Sequence, residues 1–144
     1  GETAMVRLAM ENDAEMLAQL NAAFNGPGET SLEHIRASLR ENRQETVIVD
    51  EANGILTGFL CLQIKRSFCY DACAPEVTEL YVRPEYRRQG IARRMLLFAE
   101  EHCQKEASCH GLELLTGDDN WIAQAVYRAA GYAPDGELHL FKPL

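Results

Sequence analysis

The sequence predicts an α+β domain with elements in the order β-α-α-β-β-β-α-β-α-β, and three observations predict it. Apolar residues alternate at Val6, Leu8 and Met10, the period of a strand with one buried face. Others recur three and seven residues apart, as Leu32, Ile35 and Leu39 do, which is the spacing of a helix face. Finally, Asn53-Gly54 separates two β-rich runs, 46–49 and 55–64, a strong hairpin signal that makes these strands antiparallel neighbours.

The remaining elements are set by start and stop signals. Asn12 with Glu15 three residues on has capping-box spacing and opens a helix carrying Leu17, Leu20 and Phe24, which Asn25-Gly26-Pro27-Gly28 stops. Thr30 and Glu33 repeat the signal for a second helix ending near Arg43. Residues 65–75 mix Ser67, Asp71 and Pro75 with Phe68 and Tyr70 and read as a loop with exposed aromatics. Residues 77–82 form a strand closed by Pro84, and from Gly90 the pattern turns helical as far as Lys105. An apolar strand at 112–116, a helix at 120–130 ended by Gly131, and a last strand at 138–141 complete the order.

The 144 residues are 47% hydrophobic and 25% charged, enough to bury one core without a disulfide or a structural metal. No repeat, linker or low-complexity tract divides them, so one domain is expected over 5–144; residues 1–4 either belong to it or are an expression remnant ahead of Met5. There is no signal-peptide pattern and no apolar run of about 18 residues, which points to the cytoplasm, where Cys61, Cys69, Cys73, Cys103 and Cys109 stay thiols. A net charge of −8 argues against nucleic acid or a membrane as partner and favours a cationic small molecule. His102-Cys103 and Cys109-His110 lack the spacing of zinc sites, so no metal is expected.

One stretch runs against the overall charge. Arg83, Arg87, Arg88, Arg93 and Arg94 fall within twelve residues whose only acid is Glu85. They surround a passage from strand through a glycine-containing turn to a helix start, where unpaired N–H groups at the positive end of the helix dipole cradle phosphate. The Gly-Lys-Ser/Thr of a P-loop is absent, and one glycine stands where a dinucleotide fingerprint needs three. The residues by themselves define an anion site.

Arg87-x-x-Gly90-x-Ala92, after Leu80-Tyr81-Val82-Arg83-Pro84, resembles the acetyl-CoA signature of the GNAT superfamily of N-acetyltransferases. Asn120-x-x-Ala123-x-x-x-Tyr127-x-x-x-Gly131-Tyr132 looks like that family's second motif, and the element order agrees over nearly the whole chain. The resemblance implies the GNAT fold: a mixed, mostly antiparallel sheet flanked by helices, with strands 79–82 and 112–116 splayed around acetyl-CoA as co-substrate. It also implies that the amides of Gln89, Gly90, Ile91 and Ala92 hold the pyrophosphate, within the signature that Arg87 and Arg88 open. Backbone groups of Tyr81 and Val82 would pair with the pantetheine arm, Arg88 or Arg93 would reach the adenosine phosphate, Asn120 would contact the cofactor, and Tyr127 would meet the departing sulfur. Ala92 stands where glycine is commoner in the motif. A homodimer is the assembly the resemblance suggests.

The chemistry then sets its own demands. An acceptor amine of pKa ~10.4 is protonated at pH 7, and freeing it costs roughly 4–5 kcal/mol, which calls for a base. Strand alternation puts Glu79 on one face with Tyr81, and Thr78, Leu80 and Val82 on the other, so Glu79 is the first candidate and Glu76 the second, each acting directly or through water. A phenol of pKa ~10 loses about 2 kcal/mol in handing its proton to a thiolate of pKa ~8.5, so Tyr127 is expected to hydrogen-bond the sulfur. The expected reaction is acetyl transfer to a primary amine of a small, cationic acceptor by direct attack in a ternary complex, with Asp71, Glu76, Asp118, Asp119 and Asp135 bordering the acceptor end. The alternatives are a peptide or protein amine as acceptor, or a non-catalytic acyl-CoA sensor.

Overall fold

Strands pair in the order in which the chain makes them. The computed structural model describes residues 4–106 and 108–144. Strands β1 (Ala4–Leu8), β2 (Glu45–Ala52), β3 (Ile55–Lys65) and β4 (Ala74–Val82) are antiparallel neighbours, and β5 (Glu113–Leu114) joins β4 in parallel. Helices α1 (Ala14–Asn25) and α2 (Leu32–Glu41) cover one face of the sheet. Helices α3 (Ile91–Glu106) and α4 (Trp121–Ala129) lie on the other. This is the mixed, mostly antiparallel sheet flanked by helices that the sequence implied.

Side-chain alternation builds both layers. Ile48, Leu60, Leu62 and Val82 meet Met95, Leu96 and Ala99 of α3 on one side; Val49, Phe59 and Tyr81 meet Leu17 and Leu20 of α1 on the other. The β2–β3 hairpin turns on Asn53 (φ 54°) and Gly54 (φ 81°), the two left-handed residues a type I′ turn requires.

Local capping differs from expectation by a residue or two. Ser31, not Thr30, caps α2, its Oγ accepting from the His34 N–H at 3.0 Å. Ahead of α1 a short 3-10 turn, Glu11–Asp13, brings the Asp13 carboxylate to the Met10 N–H at 2.7 Å, in place of the Asn12/Glu15 pairing. Asp13 also accepts from both Nη groups of Arg7, at 2.8 and 2.9 Å, and this charge-assisted contact with β1 anchors the start of the helix.

Three strand expectations are corrected. The β3–β4 register jumps from Cys61↔Glu79 to Leu62↔Val77, so Thr78 is the extra residue of a bulge. Thr78 is exposed, and Val77 takes the buried place on the Leu80/Val82 face that simple alternation assigned to it. Strand β5 has two residues rather than the five of 112–116. At 138–141 no strand forms: Leu138, Leu140 and Phe141 are more than 80% exposed. A strand needs a neighbouring edge for its N–H and C=O groups, and the two-residue β5 offers almost none.

Candidate active site

The open edge of β4 comes first. Its parallel pairing with β5 ends at Val77↔Leu114, whereas β4 continues to Val82, so the expected splay begins one residue before the bulge. Beyond Val82 the chain makes a 3-10 turn, Pro84–Tyr86, then passes through Arg88 (φ 65°) and Gly90 (φ 78°), both left-handed, into α3. The N–H groups in the first turn of α3 have no intrahelical acceptors and sit at the positive end of the helix dipole. Gln89, Gly90, Ile91 and Ala92 lie at this turn and helix start.

The arginine run is not a uniform phosphate trap, because four of the five have structural partners. Arg83 Nε donates to the Leu56 carbonyl at 2.9 Å. Arg87 Nε donates to the Val82 carbonyl at 2.9 Å, with its guanidinium 5.7 Å from the centre of the Tyr81 ring. Arg93 Nη1 reaches the Ala129 carbonyl at 3.0 Å and ties α3 to the end of α4, while Arg94 Nη1 holds the Gln89 carbonyl at 3.0 Å. Arg88 stands exposed beside the turn.

On the α1/α2 side of the sheet lies a cavity of about 290 Å³. Glu45, Cys61 and Glu79, from three adjacent strands, form its floor; Leu17, Ile35, Leu39 and Phe59 wall it, and Asn21, Glu29 and His34 also line it. Cys61 pairs with Glu79 across β3–β4, and its thiol hydrogen-bonds the Glu45 carboxyl, so the two carboxylates flank the thiol. Burial pushes the Glu79 carboxyl up, and repulsion from Glu45 adds to it. Burial likewise raises Glu45, against a hydrogen bond from the Cys61 thiol. That thiol is held well above its ordinary range by burial and by the two acids.

Of the two candidate bases, only Glu79 lines this cavity. Glu76 is instead paired with Lys65 Nζ at 3.2 Å, and Lys65 also meets Glu113. The other acids expected at the acceptor end do not line this cavity either. Asp71 lines a separate cavity of about 310 Å³ in the 66–73 loop, Asp118 and Asp119 precede α4, and Asp135 comes after it. Glu45 was not legible as a partner of Glu79, since strand register, which sequence does not print, brings them together.

Asn120 is the N-cap of α4, its Oδ1 accepting from the Ala123 N–H at 3.1 Å, so it stands just before the helix. Tyr127 is half-buried against the α3-side core, and burial pushes its phenol up. Glu79 and Tyr127 therefore belong to opposite faces of the sheet, Glu79 to the α1/α2 side and Tyr127 to the α3 side. No group of three or more His, Cys, Asp or Glu among the described residues is placed to hold a metal ion.

Comparison with known proteins agrees with this fold. Residues 14–132 match the acetyltransferase (GNAT) family. Over 98 residues the chain is 32% identical to a putative [ribosomal protein bS18]-alanine N-acetyltransferase of Bacillus subtilis (strain 168), a match covering 68% of this chain and 60% of that relative's length. Its fold is similar to that of the aminoglycoside acetyltransferase meta-AAC0020 from an uncultured soil metagenomic sample, solved with sisomicin: TM-score 0.84, 17% identity, 98% of this chain and 96% of the other. It is equally similar to aminoglycoside N-acetyltransferase AAC(6')-Iy in complex with CoA, at TM-score 0.85 and 17% identity over 99% and 96% of the two chains. Signature, fold and open β4 edge converge on one family, and the chain belongs to the GNAT acetyltransferases.

Proposed function

We propose that the chain is an acetyl-CoA-dependent N-acetyltransferase, a single domain over residues 5–144 acting in the cytoplasm, whose acceptor is a small cationic amine bound in the α1/α2 cavity. Glu79 carries the reading: it lies in the cavity floor on the same strand whose open edge begins the cleft. The residues present fit acetyl-CoA, with a helix start and the left-handed Gly90 for the diphosphate, exposed Arg88 for the adenosine phosphate, and an unpaired strand edge for the pantetheine amides. Val82's carbonyl already accepts from Arg87, which leaves its N–H for that edge, whereas the backbone groups of Tyr81 are turned toward Phe59 of β3. When bound, acetyl-CoA supplies the activated acetyl thioester.

The protein's part is to free the amine, place it and receive the leaving charge. An ammonium entering the cavity favours the ionised carboxylates that burial had opposed; Glu45 holds its charge while Glu79 takes a proton, directly or through water. The neutral amine would then attack the acetyl carbon in a ternary complex, the C–S bond breaking as the C–N bond forms and the proton lost from nitrogen passing through water to the thiolate, with Asn120 beside the cofactor and the Tyr127 hydroxyl donating a hydrogen bond to the departing sulfur. A volume near the lower end of ligand sites, roughly 300 Å³, with apolar walls suits an amine on a compact hydrocarbon body.

A second reading, a peptide or protein amine as acceptor, is favoured by the Bacillus subtilis relative named for ribosomal-protein alanine. Thiol release from acetyl-CoA, measured across alkylamines, diamines, aminoglycosides and alanine-initiated peptides, separates the two. Small amines should give the highest kcat/KM; a preference for peptides would install the second reading, and tight acetyl-CoA binding without turnover on any amine would favour a sensor. The homodimer we also expect has its candidate surface in the exposed Leu138, Leu140, Phe141 and Leu144, and sedimentation velocity at micromolar concentration reads it.

A further inference from the structure

Asp50, on β2, has no exposed surface, and the transfer chemistry does not use it. Its Oδ2 accepts from the Thr57 hydroxyl, whereas its Oδ1 has no hydrogen-bond partner among the described residues. A buried carboxylate with unmet acceptor capacity is costly and rare enough to need an explanation. Arg94 provides a cation: its Nη2, on a half-exposed side chain, lies 3.6 Å from the buried Oδ1, beyond hydrogen-bond range yet close for opposite charges. The other end of the same guanidinium donates to the Gln89 carbonyl at 3.0 Å, and Nη1 lies 3.8 Å from where a Cβ on Gly90 would sit.

The peptide joining Gln89 to Gly90 is planar and trans, so its C=O and N–H point in opposite directions. A guanidinium gripping the Gln89 carbonyl therefore aims the Gly90 N–H to the other side, and keeps a carbonyl dipole from facing an incoming anion. We infer that Asp50 is a positioning residue for the anion turn: acting through Arg94, it fixes the Gln89–Gly90 peptide in the orientation that presents its N–H to the diphosphate of acetyl-CoA. This rests on the reading that the start of α3 holds that diphosphate.

The test compares two ligands across wild type, Asp50→Asn, Arg94→Ala, Arg94→Lys and the Asp50→Asn/Arg94→Ala double variant. CoA is titrated by calorimetry; pantetheine, which lacks the diphosphate, is followed by ligand-observed NMR, with thermal melts alongside. Asp50→Asn and Arg94→Ala should each weaken CoA about tenfold and leave pantetheine within about twofold, Arg94→Lys should fall between, and the double variant should be no worse than Arg94→Ala. Unchanged CoA affinity in Asp50→Asn, equal losses for both ligands, or multiplying effects in the double variant would overturn the inference. Should Asp50→Asn not fold, Arg94→Ala decides, because CoA affinity equal to wild type would break the chain at its middle link. A wild type that binds pantetheine but not CoA would instead overturn the diphosphate reading beneath it.

Discussion

Glu45 adds to the burden of charge on Glu79, and several consequences can be measured. Both carboxyls are held above their ordinary range, by burial first, so each contributes stability that is present below that range and lost as pH rises through the raised value. Glu45→Gln removes the repulsion on Glu79; the acidic limb of its kcat/KM profile, where the Glu79 carboxylate forms, should lie at lower pH than in wild type, and the ligand-free protein should melt higher at pH 7. Glu79→Gln should cost about 10²–10⁴ in turnover near neutrality and recover as pH approaches the amine's own pKa; a loss constant across pH would make Glu79 an acceptor-binding residue only. Tyr127→Phe keeps the packed ring, so CoA affinity should change by no more than a few-fold. A lost hydrogen bond to developing charge, about 1.5–3 kcal/mol, predicts a 10- to 150-fold drop in turnover, and unchanged turnover would leave Tyr127 a core aromatic.

At the level of elements, β4 works because it is irregular. The bulge at Thr78 lets one strand bury Val77, Leu80 and Val82 toward α3 while Glu79 and Tyr81 face the other way. Gly58, opposite Val82, secures the strand behind: a Cβ there would overlap the Tyr81 carbonyl oxygen and crowd Met95. Gly58→Ala should therefore destabilise by about 3 kcal/mol in urea unfolding, and push β4 toward its open edge. A loss under about 0.5 kcal/mol would mean that the strands separate there at little cost.

Across the whole molecule, Arg7 ties the first strand to two other segments, binding Asp13 ahead of α1 at 2.8 Å and Glu51 at the end of β2 at 3.0 Å. The Arg7 hydrogen bond holds the Asp13 carboxyl below the usual aspartate range despite its burial. A depressed native pKa means that this stability is present above the unfolded value of about 4 and lost as pH falls through the native one. Arg7→Ala leaves the nearly buried Asp13 without its cation and should cost about 2–3 kcal/mol at pH 7. The cost should shrink at low pH, once the Asp13 carboxyl takes a proton and has less use for Arg7. Urea melts at the two pH values check this, and an equal cost at both would assign Arg7 to packing alone.

Local patterns in the chain already contain much of this. The Asn53-Gly54 turn, the four helices and the arginine-glycine passage into α3 are legible because each depends on neighbours within a few residues, where propensity, capping and periodicity act. The resemblance carried by Arg87, Gly90, Asn120 and Tyr127 extended that to the family. Contacts between distant segments were out of reach. Asp13 replaced Asn12 as the helix anchor because Arg7 sits across from it, and Thr78 left its face because β3 and β4 slip by one residue. Four arginines were committed to carbonyls on other turns, and the strand expected at 138–141 found no edge to join. Glu45 meets Glu79, and Asp50 meets Arg94, for the same physical reason: register and helix placement minimise the free energy of the whole packed sheet, and no local window of sequence carries that sum.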